Sequence, residues 1–126
     1  MPNVLIVDDS ATARMLVRRC LTICGYRADQ TFEAEHGRAA LDLLKSQAVD
    51  LVVSDLNMPV MDGRTLLRFM RSSPRLNAIP VVVVSSLINE AAEEELRGMG
   101  ATAVIRKPLS PAALAAAITS MDGAVA

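Results

Sequence analysis

Aromatic side chains are almost missing from this chain: there is no Trp, one Tyr and two Phe in 126 residues. Any core must therefore be aliphatic. With 52% of the residues hydrophobic, Val, Leu, Ile, Ala and Met suffice to build one, at a length that fits one domain over residues 1–126. Cysteine is confined to Cys20 and Cys24, and histidine to His36. Two thiols four residues apart permit metal ligation, but no further Cys completes a set, so both read as buried, reduced core thiols. His36, beside Gly37, reads as a solvated loop residue rather than a catalyst. The net charge is only −1 and the basic residues are scattered, which excludes the basic footprint of a nucleic-acid binder. No apolar run approaches the roughly 20 residues of a membrane span, and the N-terminus lacks the layout of a secretory signal. A cytoplasmic protein without membrane insertion is expected.

What the chain does have is alternation. Val4-Leu-Ile-Val7 is a short apolar run that ends in Asp8-Asp9. Ser10 then caps a helix over Ala11 to Cys24, whose apolar positions Ala13, Leu16, Val17, Cys20, Leu21 and Cys24 share one face. Gly25 stops it, and Tyr26 to Phe32 reads as a more polar strand suited to a sheet edge. A second helix is expected from Gly37 to Gln47, a third strand from Asp50 to Ser54 and a short helix from Arg64 to Arg71. Pro80 to Ser85 is an all-apolar strand with β-branched residues inside it. Asn89 caps a helix reaching Met99, Ala101 to Arg106 is a fifth strand, and Ser110-Pro111 opens a last helix to Met121. Residues 122–126 read as a frayed tail.

Five βα units in succession predict an α/β fold: a five-stranded parallel sheet with helices on both faces and right-handed crossovers. The flavodoxin-like strand order 2-1-3-4-5 fits best, because it puts the polar second strand at an edge.

That order gathers the polar residues. Asp8 and Asp9 end the first strand, Asp55 the third, Ser85 the fourth and Lys107 the fifth. These strands are successive neighbours, about 4.8 Å apart, and their equivalent ends share one edge of the sheet. Three carboxylates there repel one another, and one Lys offsets a single charge. A hard divalent cation with oxygen ligands resolves the conflict, and an open octahedral Mg²⁺ site suits few carboxylates. Asp55 can then act as a nucleophile toward a phosphoryl donor, with the ion, Lys107 and the Ser85 hydroxyl binding its oxygens.

The segments Val7-Asp8-Asp9-Ser10, Ser54-Asp55-Leu56-Asn57-Met58-Pro59-Val60-Met61-Asp62-Gly63, Val84-Ser85-Ser86 and Lys107-Pro108 resemble the receiver domain of bacterial two-component response regulators. The resemblance spans essentially the whole chain. It implies that Asp55 is the phospho-acceptor, loaded from a sensor histidine kinase or a histidine phosphotransfer protein. It implies that Mg²⁺, for which Mn²⁺ can substitute, is held by Asp9, Asp55 and the backbone carbonyl of Asn57, with Asp8 acting mainly through water. Lys107 would bind the phosphoryl group, ahead of a cis bond to Pro108, and Ser85 would be the switch hydroxyl. The opening Val-Asp-Asp-Ser-Ala-Thr-Ala-Arg is more similar to the chemotaxis-type members than to the transcriptional ones, which points to motility.

One departure stands out. The family usually carries Tyr or Phe three residues before the Lys, and here that position is Val104. An aromatic rotamer switch is unavailable, so output is expected through Ser86, Leu87 and Ile88, with Val104 responding modestly. With no effector domain in these residues, the target is expected to be another protein, bound by a monomer or weak dimer. The chain would catalyse only its own phosphorylation and dephosphorylation. A phosphohydrolase of the haloacid dehalogenase type needs a second Asp two residues after the nucleophile, where this chain has Asn57, which cannot transfer protons. A flavin or dinucleotide carrier lacks its Gly-rich turn after the first strand. A non-phosphorylated pseudo-receiver is the remaining alternative, and the intact acid set argues against it.

Overall fold

The computed structural model describes residues 2–86 and 88–125, with side chains through Thr119. Strands and helices alternate as β1 (Asn3–Val7), α1 (Ala11–Ile23), β2 (Gln30–Ala34), α2 (Gly37–Ser46), β3 (Leu51–Asp55), α3 (Gly63–Ser72), β4 (Val81–Ser85), α4 (Glu90–Gly98), β5 (Ala103–Arg106) and α5 (Pro111–Val125). The strands form one sheet in the order β2-β1-β3-β4-β5, and every pairing is parallel. The flavodoxin-like topology expected from the alternation is the one observed.

The apolar strands are continuous because the sheet is covered twice. Successive residues point to opposite faces. Leu5, Val52, Val81 and Val83 join Leu44, Leu66, Met70 and Leu96 of α2, α3 and α4 on one side. Val4, Ile6, Val53, Val82 and Val84 join Val17, Leu21, Leu114 and Ile118 of α1 and α5 on the other. Among the described residues no helix is long and apolar enough to cross a membrane.

Each helix starts on a side-chain cap, and this fixes where every loop hands over to its helix. Ser10 Oγ accepts from the Ala13 amide at 3.2 Å. Asp62 Oδ1 accepts from Thr65 at 2.9 Å, Asn89 Oδ1 from Ala92 at 2.8 Å and Ser110 Oγ from Ala113 at 3.1 Å. His36, expected as a solvated loop residue, is the cap of α2: its Nδ1 accepts from the Ala39 amide at 3.1 Å. Asp62 likewise caps α3.

Two strands begin later than their sequences suggest, for one reason. After α1, Gly25 takes φ +80°; its amide donates to Thr22 at 3.1 Å, and the Tyr26 amide to Leu21 at 2.9 Å. After α4, Gly100 takes φ +105°, and the Ala101 amide donates to Leu96 at 3.0 Å. These glycine-terminated endings use the next residue to cap the helix carbonyls. Tyr26 and Ala101 are therefore cap residues, and β2 and β5 start at Gln30 and Ala103. Cys24, expected in the core, is the half-buried C-cap of α1, while Cys20 is buried. Burial, with Cys24 adding to it, pushes the Cys20 thiol up, which keeps it protonated and unreactive. The last helix runs past Met121 to Val125, through most of the segment expected to be frayed.

Candidate functional site

The edge of the sheet at the strand C-termini carries the polar residues. Oxygens of Asp8, Asp9 and Asp55 all lie within 4.8 Å of one another. Asp8 and Asp55 are buried, and Asp9 is exposed. Lys107 Nζ reaches across to them, 3.3 Å from Asp8 Oδ2 and 3.5 Å from Asp55 Oδ1. Ser85 is fully buried at the end of β4. It sits one step beyond Val84, the register partner of Asp55, and its carbonyl accepts from the Lys107 amide at 2.9 Å. The peptide bond between Lys107 and Pro108 is cis. Asn57 is exposed in the loop that follows Asp55, as is Ser86 after β4. Ile88 is buried, and Val104 packs at the margin of the same core; Leu87 lies outside the described residues.

The loop after β3 holds Asp55 in place. Asp55 Oδ1 accepts from the Leu56 amide at 2.9 Å. The Gly63 amide donates to the Leu56 carbonyl at 2.8 Å, folding the start of α3 onto the end of the strand. Between them the Met61 amide donates to the Pro59 carbonyl at 2.7 Å, closing a three-residue turn around Val60. Val60 accordingly takes φ +66°, in a region that costs a β-branched residue about 1–3 kcal/mol. The Met61 carbonyl accepts from Gly37 at 2.9 Å, tying the loop to α2.

Electrostatics follow from the walls. A cavity of about 420 Å³ opens beside Asp55, lined by Ala13, Leu16, Val53, Val84 and Pro108 as well as by Asp8, Asp55 and Lys107. Burial in this apolar setting, and then the charge of Asp8, push the Asp55 carboxyl above its ordinary range; Lys107 and the Leu56 amide only partly restore it. Burial lowers Lys107, but Asp55 and Asp8 outweigh that effect and leave the ammonium raised. An excess of buried negative charge is what a hard cation with oxygen ligands neutralises. Asp9 in particular makes no hydrogen bond among the described residues. The donor set fits a divalent cation such as Mg²⁺.

This arrangement has counterparts. Residues 4–119 match the family described as response regulator receiver domain. The chain belongs to that family. A probable chemotaxis protein CheY of Rhizobium etli is 33% identical over 123 residues, covering 98% of this chain and 94% of the relative. Chemotaxis protein CheY-3 of Vibrio cholerae is 36% identical over 112 residues, covering 89% of this chain and 85% of its own. Among solved structures, the signal receiver domain of a histidine kinase from Syntrophus aciditrophicus superposes with TM-score 0.84 at 31% identity, covering 99% of this chain and 92% of that one. The CheX-CheY-BeF3-Mg complex from Borrelia burgdorferi gives TM-score 0.83 at 30% identity, covering 94% and 87%. The protein is thus a regulatory signalling domain of the CheY-like kind.

For this receiver domain the raised Asp55 carboxyl has a measurable sign. A carboxyl raised in the folded state favours folding when protonated and costs stability once pH has risen through its folded value. Asp55→Asn should therefore raise the melting temperature by a few degrees at pH 7, and the gain should vanish as pH falls toward about 4, the ordinary aspartate value. Thermal unfolding of both proteins across that range checks it. An Asp55→Asn protein less stable than wild type at pH 7 would contradict the assigned burial.

Proposed function

We propose that the chain is a phospho-accepting switch in which Asp55 takes a phosphoryl group from a phosphohistidine on a sensor kinase or a histidine phosphotransfer protein. The observation that carries this reading is the convergence of three carboxylates within 4.8 Å, two of which, Asp8 and Asp55, line an apolar cavity together with Lys107. In the step itself a carboxylate oxygen of Asp55 bonds to phosphorus as the P–N bond breaks. The electron pair stays on the imidazole nitrogen, which then takes a proton from solvent.

The residues divide the work. Lys107 is assigned to a phosphoryl oxygen, which its 3.5 Å approach to Asp55 supports, and the Ser85 hydroxyl is assigned to another. Asp9, Asp55 and the Asn57 carbonyl would hold Mg²⁺ (or Mn²⁺), with Asp8 acting through water. A bound ion supplies positive charge against the acids and the phosphoryl oxygens. Support for separating the two adjacent acids comes from Asp8, whose carboxylate already accepts from Ser10 and Lys107, while Asp9 is uncommitted. Output is assigned to the loop after Ser85. Val104 is stiff at χ1 and too small to gate it, so Ser86 to Ile88 must shift as backbone, altering the surface offered to a partner protein. The chemotaxis proteins among the relatives and the Mg- and CheX-bound CheY support this kind of switch and a role in motility.

The reading is tested by incubating the protein with acetyl phosphate. Labelling is expected only with Mg²⁺ or Mn²⁺, and none in Asp55→Asn. Asp9→Asn should weaken Mg²⁺ binding more than Asp8→Asn. Metal-independent labelling, or an Asp55→Asn protein labelled as well as wild type, would reject the switch.

A further inference from the structure

Every polar group of Asp8 is engaged. Its amide donates to the Ala34 carbonyl at 3.1 Å, its Oδ1 accepts from Ser10 at 2.9 Å and its Oδ2 from Lys107 at 3.3 Å. Its carbonyl accepts from Arg14 Nη1 at 2.7 Å. Asp9, next in the chain, is exposed and free of protein hydrogen bonds among the described residues. The acid pair thus consists of one anchored residue and one presented residue.

Arg14 is the unexpected member. Its side chain is only 13% exposed, and its Nε donates to Glu33 Oε1 at 2.8 Å. The other Glu33 oxygen is held by Arg18, again at 2.8 Å. One arm of the Arg14 fork therefore grips the end of β1, and the other grips a carboxylate on the edge strand β2. Its charge is balanced by Glu33 rather than by the acids of the site. On charge alone, a guanidinium beside a cation-binding loop opposes the incoming ion.

We propose that Arg14 is a positioning residue for the divalent-cation site: by clamping the Asp8 carbonyl against Glu33 it fixes the turn that presents Asp9. The inference rests on the reading of the acids as a Mg²⁺ site, and the sign of one substitution separates it from simple electrostatics. Arg14→Met keeps the aliphatic stem and removes the cation. If Arg14 acted only through charge, Mg²⁺ would bind Arg14→Met more tightly than wild type. Positioning requires the opposite, a weakening of about tenfold, the low end of what removing a group behind metal ligands costs. Arg14→Lys keeps the charge but lacks the planar fork that grips two acceptors at once, so it should weaken binding as well. Glu33→Gln, which leaves Arg14 unbalanced, should do likewise.

The experiment is calorimetric Mg²⁺ titration of the four proteins, with amide spectra of the metal-free forms. Affinity should fall in all three variants, with the metal-free shifts centred on Asp8 to Ser10 and on the end of β2. Wild-type or tighter binding in Arg14→Met, with wild type itself binding, would overturn the positioning role alone. Wild type that binds no Mg²⁺ would overturn both it and the reading beneath it. Should Arg14→Met fail to fold, Arg14→Lys decides: unchanged affinity there defeats the proposal.

Discussion

Replacing Gly63 by Ala is expected to destabilise the protein by about 3 kcal/mol, a large share of the roughly 5–15 kcal/mol that holds a domain together. A Cβ on Gly63 would overlap the Asp55 carbonyl oxygen and lie 3.0 Å from Leu56 Cα. Both obstacles are backbone, so no side-chain rotation relieves them. Relief must come from parting the end of β3 from the start of α3, which breaks the Gly63 to Leu56 hydrogen bond and shifts the Leu56 amide that holds Asp55. Urea unfolding measures the first effect and Mg²⁺ titration the second. A loss under about 0.5 kcal/mol, the size of an ordinary surface substitution, would show that the loop has slack the geometry denies.

Lys107→Ala has the next largest expected effect. It removes the ammonium that the described ion pairs place against the acids. Breaking a buried pair costs about 3–5 kcal/mol; with Lys107 30% exposed, solvent screening reduces this to about 2 kcal/mol. The loss should be full near neutral pH, shrink as Asp55 is protonated in acid, and shrink again when Mg²⁺ supplies the missing charge. Phosphorylation-linked spectral changes should be largely lost as well. A Lys107→Ala protein that is equally destabilised at every pH and Mg²⁺ concentration would mean that the side chain matters for packing and not for charge.

How far these features were readable beforehand differs by element. Strands buried on both faces announce themselves as runs such as Val81–Val84, and acids at the ends of β1 and β3 follow from where such runs stop. Sheet order followed from polarity, because the stretch Tyr26 to Phe32 is more polar than the other strands and suits an edge. The starts of β2 and β5 were not readable to the residue, because Tyr26 and Ala101 look like strand formers until helix capping claims their amides. His36 read as a solvated loop residue for a similar reason: its side chain can serve a loop or a cap, and only the helix that follows decides. Nothing local marked Val60 for a positive φ, since its conformation is imposed by the turn between Pro59 and Met61. Arg14 looked like any exposed helical arginine. Its role depends on Glu33, nineteen residues away on another element, and no periodicity carries that information.

The central claim is that Asp55 alone accepts the phosphoryl group. Acetyl phosphate and Mg²⁺ would load the protein, borohydride would reduce the acyl phosphate to homoserine, and fragment mass spectrometry would locate the change. Conversion is expected at Asp55 and nowhere else. Homoserine at Asp8 or Asp9, or a stably labelled protein with Asp55 unconverted, would contradict the account.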